Sequence, residues 1–262
     1  MPTKPASSSH PKSPREHLIG PVALVAILLA TLFTAVQPGS LTFGDLSQQF
    51  RAMLTPRPAG ADAVAATFVP LRIGIVAGHY GSDSGAVCED ENGLVTLTEQ
   101  DMNSRIATLV KESLESKGFQ VELLQEFDTR LSGYNGVALV SIHNDSCEYI
   151  NDQATGFKVA AATDTRDANR AARLTACLVD RYQRVTNLTY HAGSITADMT
   201  QYHTFSEISP NTIAAIIETG FLNLDRDFLT QNTDKVAEGI VQGILCFINN
   251  ENVEPTPIPP QP

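Results

Sequence analysis

GVALVSIHND, residues Gly136 to Asp145, decides how this chain folds. From Gly136 to Ile142 only Ser141 is polar. The run is too short for an ordinary helix and lacks the alternation of a strand with one wet face. It reads as a strand buried on both faces, and therefore as a central strand of a parallel sheet. Similar runs recur on either side: LRIGIVAG (Leu71 to Gly78), VELLQE (Val121 to Glu126), GFKVAAA (Gly156 to Ala162) and TIAAIIETGF (Thr212 to Phe221). Helical patterns separate them. In Thr98 to Lys117 the apolar residues Met102, Ile106, Leu109, Val110 and Leu114 share one face, Thr98 suits an N-cap, and Gly118 suits a C-terminal stop. Asp167 to Arg184 and Asp234 to Ile248 repeat the amphipathic pattern. Strands and helices in this order predict an α/β fold, a mostly parallel twisted sheet with helices on both faces.

The globular pattern runs from Leu71 to Asn250, and what precedes it is different in kind. Residues 1–17, rich in Ser, Pro and Lys/Arg, read as a disordered cytoplasmic tail. Leu18 to Val36 then follow without a single charge. As a helix rising about 1.5 Å per residue, this stretch covers roughly 28 Å, close to the hydrocarbon thickness of a bilayer. Lys4, Lys12 and Arg15 precede it and the next basic residue is Arg51, so the positive-inside rule sends the rest of the chain out of the cytoplasm. No good small-x-small cleavage site surrounds Ala35-Val36-Gln37, which favours a retained single-pass transmembrane anchor over a cleaved signal peptide; cleavage would make the protein secreted. Residues 37–70 read as a linker, with a short helix over Leu46 to Leu54, and residues 251–262 as a proline-rich tail.

Charge follows the same division. The net charge of −11 hides a basic start. Five basic and three acidic residues precede Leu71, leaving 13 basic and 26 acidic residues after it. A body that acidic repels polyphosphate, so nucleic acid is not an expected partner.

In open parallel sheets ligands bind beyond the carboxyl ends of the strands. Reactive residues gather there: His79 after the first strand, His143 at the end of the third, Glu218 in the last, with Glu99 opening the helix that follows the first strand. Two imidazoles and a carboxylate form a common ligand set for one catalytic zinc ion, leaving a coordination position for water. His79, Glu99 and His143 are therefore the expected metal ligands. Glu218 is the expected acid/base that moves the water's proton. The bland readings are a dipole-stabilised Glu99 and structural histidines. Glu218 is harder to explain that way, because burying an unpaired acid is costly.

These blocks resemble the zinc-dependent N-acetylmuramoyl-L-alanine amidases of the amidase 3 type. The resemblance lies in IGIVAGHYGSDSGAV (Ile73 to Val87), in LTEQDMN with Glu99 and Asn103, in SIHND with Ser141 and His143, and in ETGFLN with Glu218, Gly220, Phe221 and Asn223. It runs in order from Leu71 to Asn250. It implies one zinc ion on His79, Glu99 and His143, catalysis by Glu218, and peptidoglycan as substrate, cleaved between N-acetylmuramic acid and L-alanine. Two alternatives remain: a non-catalytic cell-wall binding module, and a zinc peptidase or deacylase of another class. Departures exist as well. The stretch from Gln125 to Val137 is short where relatives carry a longer arginine-containing segment. Cys88 and the acidic run Glu89 to Glu91 are unusual, and DMTQYHTFSEISPNT (Asp198 to Thr212) has no counterpart; His203 within it reads as a solvated loop histidine rather than a substrate contact. Cys88 follows the first histidine block and Cys147 the second, so a Cys88–Cys147 bridge would brace the metal loops, and Cys177–Cys246 would join two helices; four buried free thiols are the rival reading.

Overall fold

The computed structural model describes residues 70–253 apart from Asp164. The expected tail, anchor and linker before residue 70, with the short helix at Leu46 to Leu54, lie outside the described residues, as does the tail after residue 253. Among the described residues no helix is long and apolar enough to cross a membrane.

Five strands form the main sheet: β1 (Arg72–Ala77), β4 (Gln120–Leu124), β5 (Ala138–Asp145), β6 (Lys158–Ala161) and β7 (Ile213–Phe221), in the order β4-β1-β5-β7-β6. The β4-β1-β5-β7 pairings are parallel, and β6 alone runs antiparallel, at the edge beside β7. The middle of the sheet falls on β5, where the continuous apolar run placed it. A small antiparallel hairpin, β2 (Val87–Glu89) with β3 (Val95–Thr98), follows the first histidine loop.

Three long helices pack on one face: α1 (Glu99–Ser116), α2 (Ala168–Thr186) and α6 (Thr233–Ile248). The caps of α1 are the expected ones. Thr98 Oγ1 accepts the Asp101 N–H at 3.1 Å, and Gly118 takes φ +91° just past the end. On this side Ile73, Ile75, Val140, Ile142, Ile213, Ala215 and Ile217 of the sheet meet Ile106, Val110, Leu178, Ile240 and Ile244 of the helices. The opposite face carries smaller clusters, around Val76, Leu124, Leu139 and Tyr134 and around Ala160, Ile216, Met199 and Tyr202. Its cover is unequal to the first: loops and two one-turn helices, α3 (Ala197–Thr200) and α4 (Thr204–Glu207). A last short helix, α5 (Arg226–Gln231), leads into α6.

Both cysteine pairs are disulfides, Cys88–Cys147 and Cys177–Cys246, which settles the alternative of free thiols. The first ties the β2–β3 hairpin to the loop after β5, and the second joins α2 to α6.

Candidate metal and catalytic centre

The register of the sheet places the site. His143 on β5 pairs with Glu218 on β7, which pairs with Lys158 on β6. Residues directly opposite on neighbouring strands point to the same face, so the three side chains stand in one row. β1 ends alongside, with the Gly78 N–H donating to Ile142 O at 3.0 Å, and His79 is the next residue.

His79 adopts φ 63°, a left-handed conformation that is uncommon for a non-glycine residue and turns the chain sharply off the strand. Its backbone N–H donates to Glu126 Oε2 at 2.7 Å. Glycines flank it because side chains fill the space. A Cβ on Gly78 would stand 2.3 to 2.5 Å from the His143 ring, and one on Gly85, at φ +58°, would stand 2.5 Å from Glu99 Oε2.

Glu99 lies between the two imidazoles. Its Oε2 is 3.2 Å from His79 Nε2 and its Oε1 is 3.1 Å from His143 Nδ1. The Ala86 and Asn144 backbone N–H groups and the Asn103 amide also donate to it. Asn103, Asn144 and Thr219 are linked in a buried network behind it, Asn144 donating to Asn103 Oδ1 at 2.7 Å. Burial pushes the Glu99 carboxyl upward, but the hydrogen bonds to His143 and His79 outweigh this and hold it far below the usual carboxylate range. The Glu99 hydrogen bond in turn raises His79 to about 9. Burial works against a charged His143, yet Glu99, Glu218 and Glu126 together raise it.

One ligand atom from each of His79, Glu99 and His143 falls within 4.8 Å of the others. The structure thus brings together the three residues named from the sequence. Their donor set suits a divalent cation, and three ligands leave room for water and a carbonyl oxygen. Glu218 stands beside His143. Its Oε2 is covered by protein and has no hydrogen-bond partner among the described residues, and burial pushes this carboxyl up to about 7. An orphan carboxylate oxygen next to such a cluster is what a group handling protons requires.

The family model for N-acetylmuramoyl-L-alanine amidase matches residues 73–250, most of the chain and all of the site. The chain belongs to this amidase family. The amidase hydrolyses the amide between N-acetylmuramic acid and L-alanine in peptidoglycan. Solved structures agree with the fold. The CwlD amidase of Clostridioides difficile, solved in complex with the GerS lipoprotein, is 22% identical with a TM-score of 0.54, over 69% of this chain and 100% of that one. AmiC2 of Nostoc punctiforme is 22% identical with a TM-score of 0.52, over 68% and 97%. The apo form of Ami1 of Mycobacterium abscessus is 17% identical with a TM-score of 0.51, over 69% and 100%. No curated protein sequence matches the amidase.

Three residues of the site carry no signal in the sequence. Glu126 closes the predicted strand VELLQE, whereas β4 ends at Leu124 and Glu126 is buried at the rim. Tyr202 places its hydroxyl 3.4 Å from His143 Nε2. His203 is not the solvated loop histidine expected. Its Nε2 lies 2.9 Å from Glu126 Oε1, its Nδ1 lies 2.7 Å from Glu207 Oε1, and its ring stacks on Phe127. Its contacts with Glu126 and Phe127, just past the end of β4, draw it in, and no local pattern announces a contact between residues so distant in the chain.

Proposed function

We propose that the amidase works with one zinc ion held by His79, Glu99 and His143, with Glu218 as the group that moves the proton. The observation that carries this reading is the meeting of three ligand atoms within 4.8 Å beside a carboxyl oxygen with no hydrogen-bond partner among the described residues. Zinc bound there supplies Lewis acidity, lowering the pKa of water at the site and polarising the scissile carbonyl. Glu218 Oε2 takes the proton from the attacking water and returns it to the departing L-alanine nitrogen. A carboxyl raised towards neutrality by burial is matched to both halves of that task. The Asn103–Asn144–Thr219 network fixes Glu99 before substrate arrives, so little reorganisation is needed.

The test is the Glu218→Ala variant on purified peptidoglycan. It keeps one zinc per chain and loses hydrolysis by about 10²–10⁴-fold, the usual contribution of a general acid–base group. The wild type releases new L-alanine amino termini. Full activity in the variant would refute the role of Glu218, and a zinc-free active wild type would refute the metal assignment.

We place the catalytic domain outside the cytoplasm, anchored by residues 18–36. The uncharged stretch with basic residues before it supports this, and so do two disulfides, which persist in oxidising compartments.

A further inference from the structure

His79 and His143 each turn one ring nitrogen to Glu99, and the other nitrogen of each faces a second carboxylate. For His79 this is Asp83, with Oδ1 2.6 Å from Nδ1. For His143 it is Glu126, with Oε2 at an ion-pair distance of 3.7 Å from Nε2, and the Tyr202 hydroxyl, 3.4 Å from the same nitrogen, links the two by donating to Glu126 Oε1. Glu126 is connected to both histidines at once, because the same Oε2 accepts the His79 backbone N–H at 2.7 Å. Its other oxygen, Oε1, accepts the Tyr202 hydroxyl at 2.9 Å and lies 2.9 Å from His203 Nε2. The side chain is buried, and its own N–H donates to Tyr80 O at 3.1 Å. Among the described residues, these partners of Glu126 belong to the loop after β1 (His79, Tyr80), to β5 (His143) or to the segment Ala197–Glu207 (Tyr202, His203).

We propose that Glu126, gripped by Tyr202 and His203, is a positioning residue that sets the orientation of both histidines for the metal. The inference rests on the metal reading given above. A ligating imidazole binds best when its far N–H is held by a carboxylate, which fixes the tautomer and the ring angle. A carboxylate that also holds the backbone of the other histidine couples the two ligands. Energetically, a buried carboxylate is tolerated only with enough donors, and Tyr202, His203 and the His79 N–H supply them. This gives roles to two features that the sequence left unexplained: the segment Asp198 to Thr212, and the short stretch after β4 that delivers Glu126 directly to the rim.

Zinc affinity of the full-length protein, measured by competition with a chromogenic chelator, tests the inference in Glu126→Gln and Glu126→Ala. The unfolding midpoint of each metal-free variant is recorded alongside. Glu126→Gln is isosteric and keeps an acceptor for the His79 N–H, so it decides the matter if Glu126→Ala does not fold. The expected result is zinc binding weakened by about 10–100-fold in Glu126→Gln, the usual cost of losing an outer carboxylate, with the metal-free midpoint near wild type. Zinc affinity equal to wild type in Glu126→Gln overturns the inference and leaves the zinc reading intact. A wild type that binds no zinc overturns both.

Discussion

Glu218 faces His143 across the β5–β7 pairing and Lys158 across the β6–β7 pairing. Burial raises its carboxyl to about 7, with nearby Glu99 pushing in the same direction and His143 opposing. In the proposed role of base, Glu218 must start ionised, so activity is expected to climb as pH rises through its pKa. A bound cation favours the ionised form and moves that limb down. The acidic limb of kcat/KM is therefore expected at or below about 7, and Glu218→Ala removes it from whatever activity remains. A limb well above neutrality in the zinc-loaded enzyme would assign it to another group. Reading Glu218 from the sequence was possible because an acid inside an apolar strand is conspicuous. Glu126 is buried too but ends VELLQE, where the polar terminus of a strand looks ordinary.

Among elements, α2 and α6 show how closely two helices are brought together. Gly243 faces Leu178, where a Cβ would stand 2.8 Å from the Leu178 Cα, and Gly239 faces Tyr182 in the same way. Such close approach holds Cys177 and Cys246 with their Cα atoms 5.7 Å apart, within bridging range. The bridge spans 69 residues and lies in the core between α2 and α6. The Cys177→Ala, Cys246→Ala double variant is expected to lose about 2–4 kcal/mol of stability in denaturant titration, with kcat/KM unchanged. A fall in kcat/KM without a fall in stability would contradict a purely structural role. Helices α1, α2 and α6 were legible because each keeps an apolar face over four or more turns, and α1 and α2 also begin at side-chain caps, Thr98 and Asp167. The β2–β3 hairpin was not, since strands of three and four residues carry too little periodicity.

At the scale of the whole molecule, the proposed placement outside the cytoplasm can be tested directly. The two disulfides and the uncharged stretch from Leu18 to Val36 are what support that proposal. The full chain is expected to fractionate with membranes and resist extraction at alkaline pH, whereas a chain starting at residue 70 is released. Recovery of the full chain in the soluble exported fraction, beginning after residue 36, would indicate cleavage instead.

By itself the amino-acid order determined the α/β class, the central position of β5, the three long helices and the candidates His79, Glu99, His143 and Glu218. These follow from local periodicity, caps and the cost of placing polar groups at the ends of apolar strands. Tertiary structure alone decided the strand order, the reversed direction of β6, the inclusion of Glu126, Tyr202 and His203 in the site, and the meeting of the ligand atoms. Each of these depends on contacts between segments tens of residues apart, and such pairing leaves no mark in local hydrophobicity.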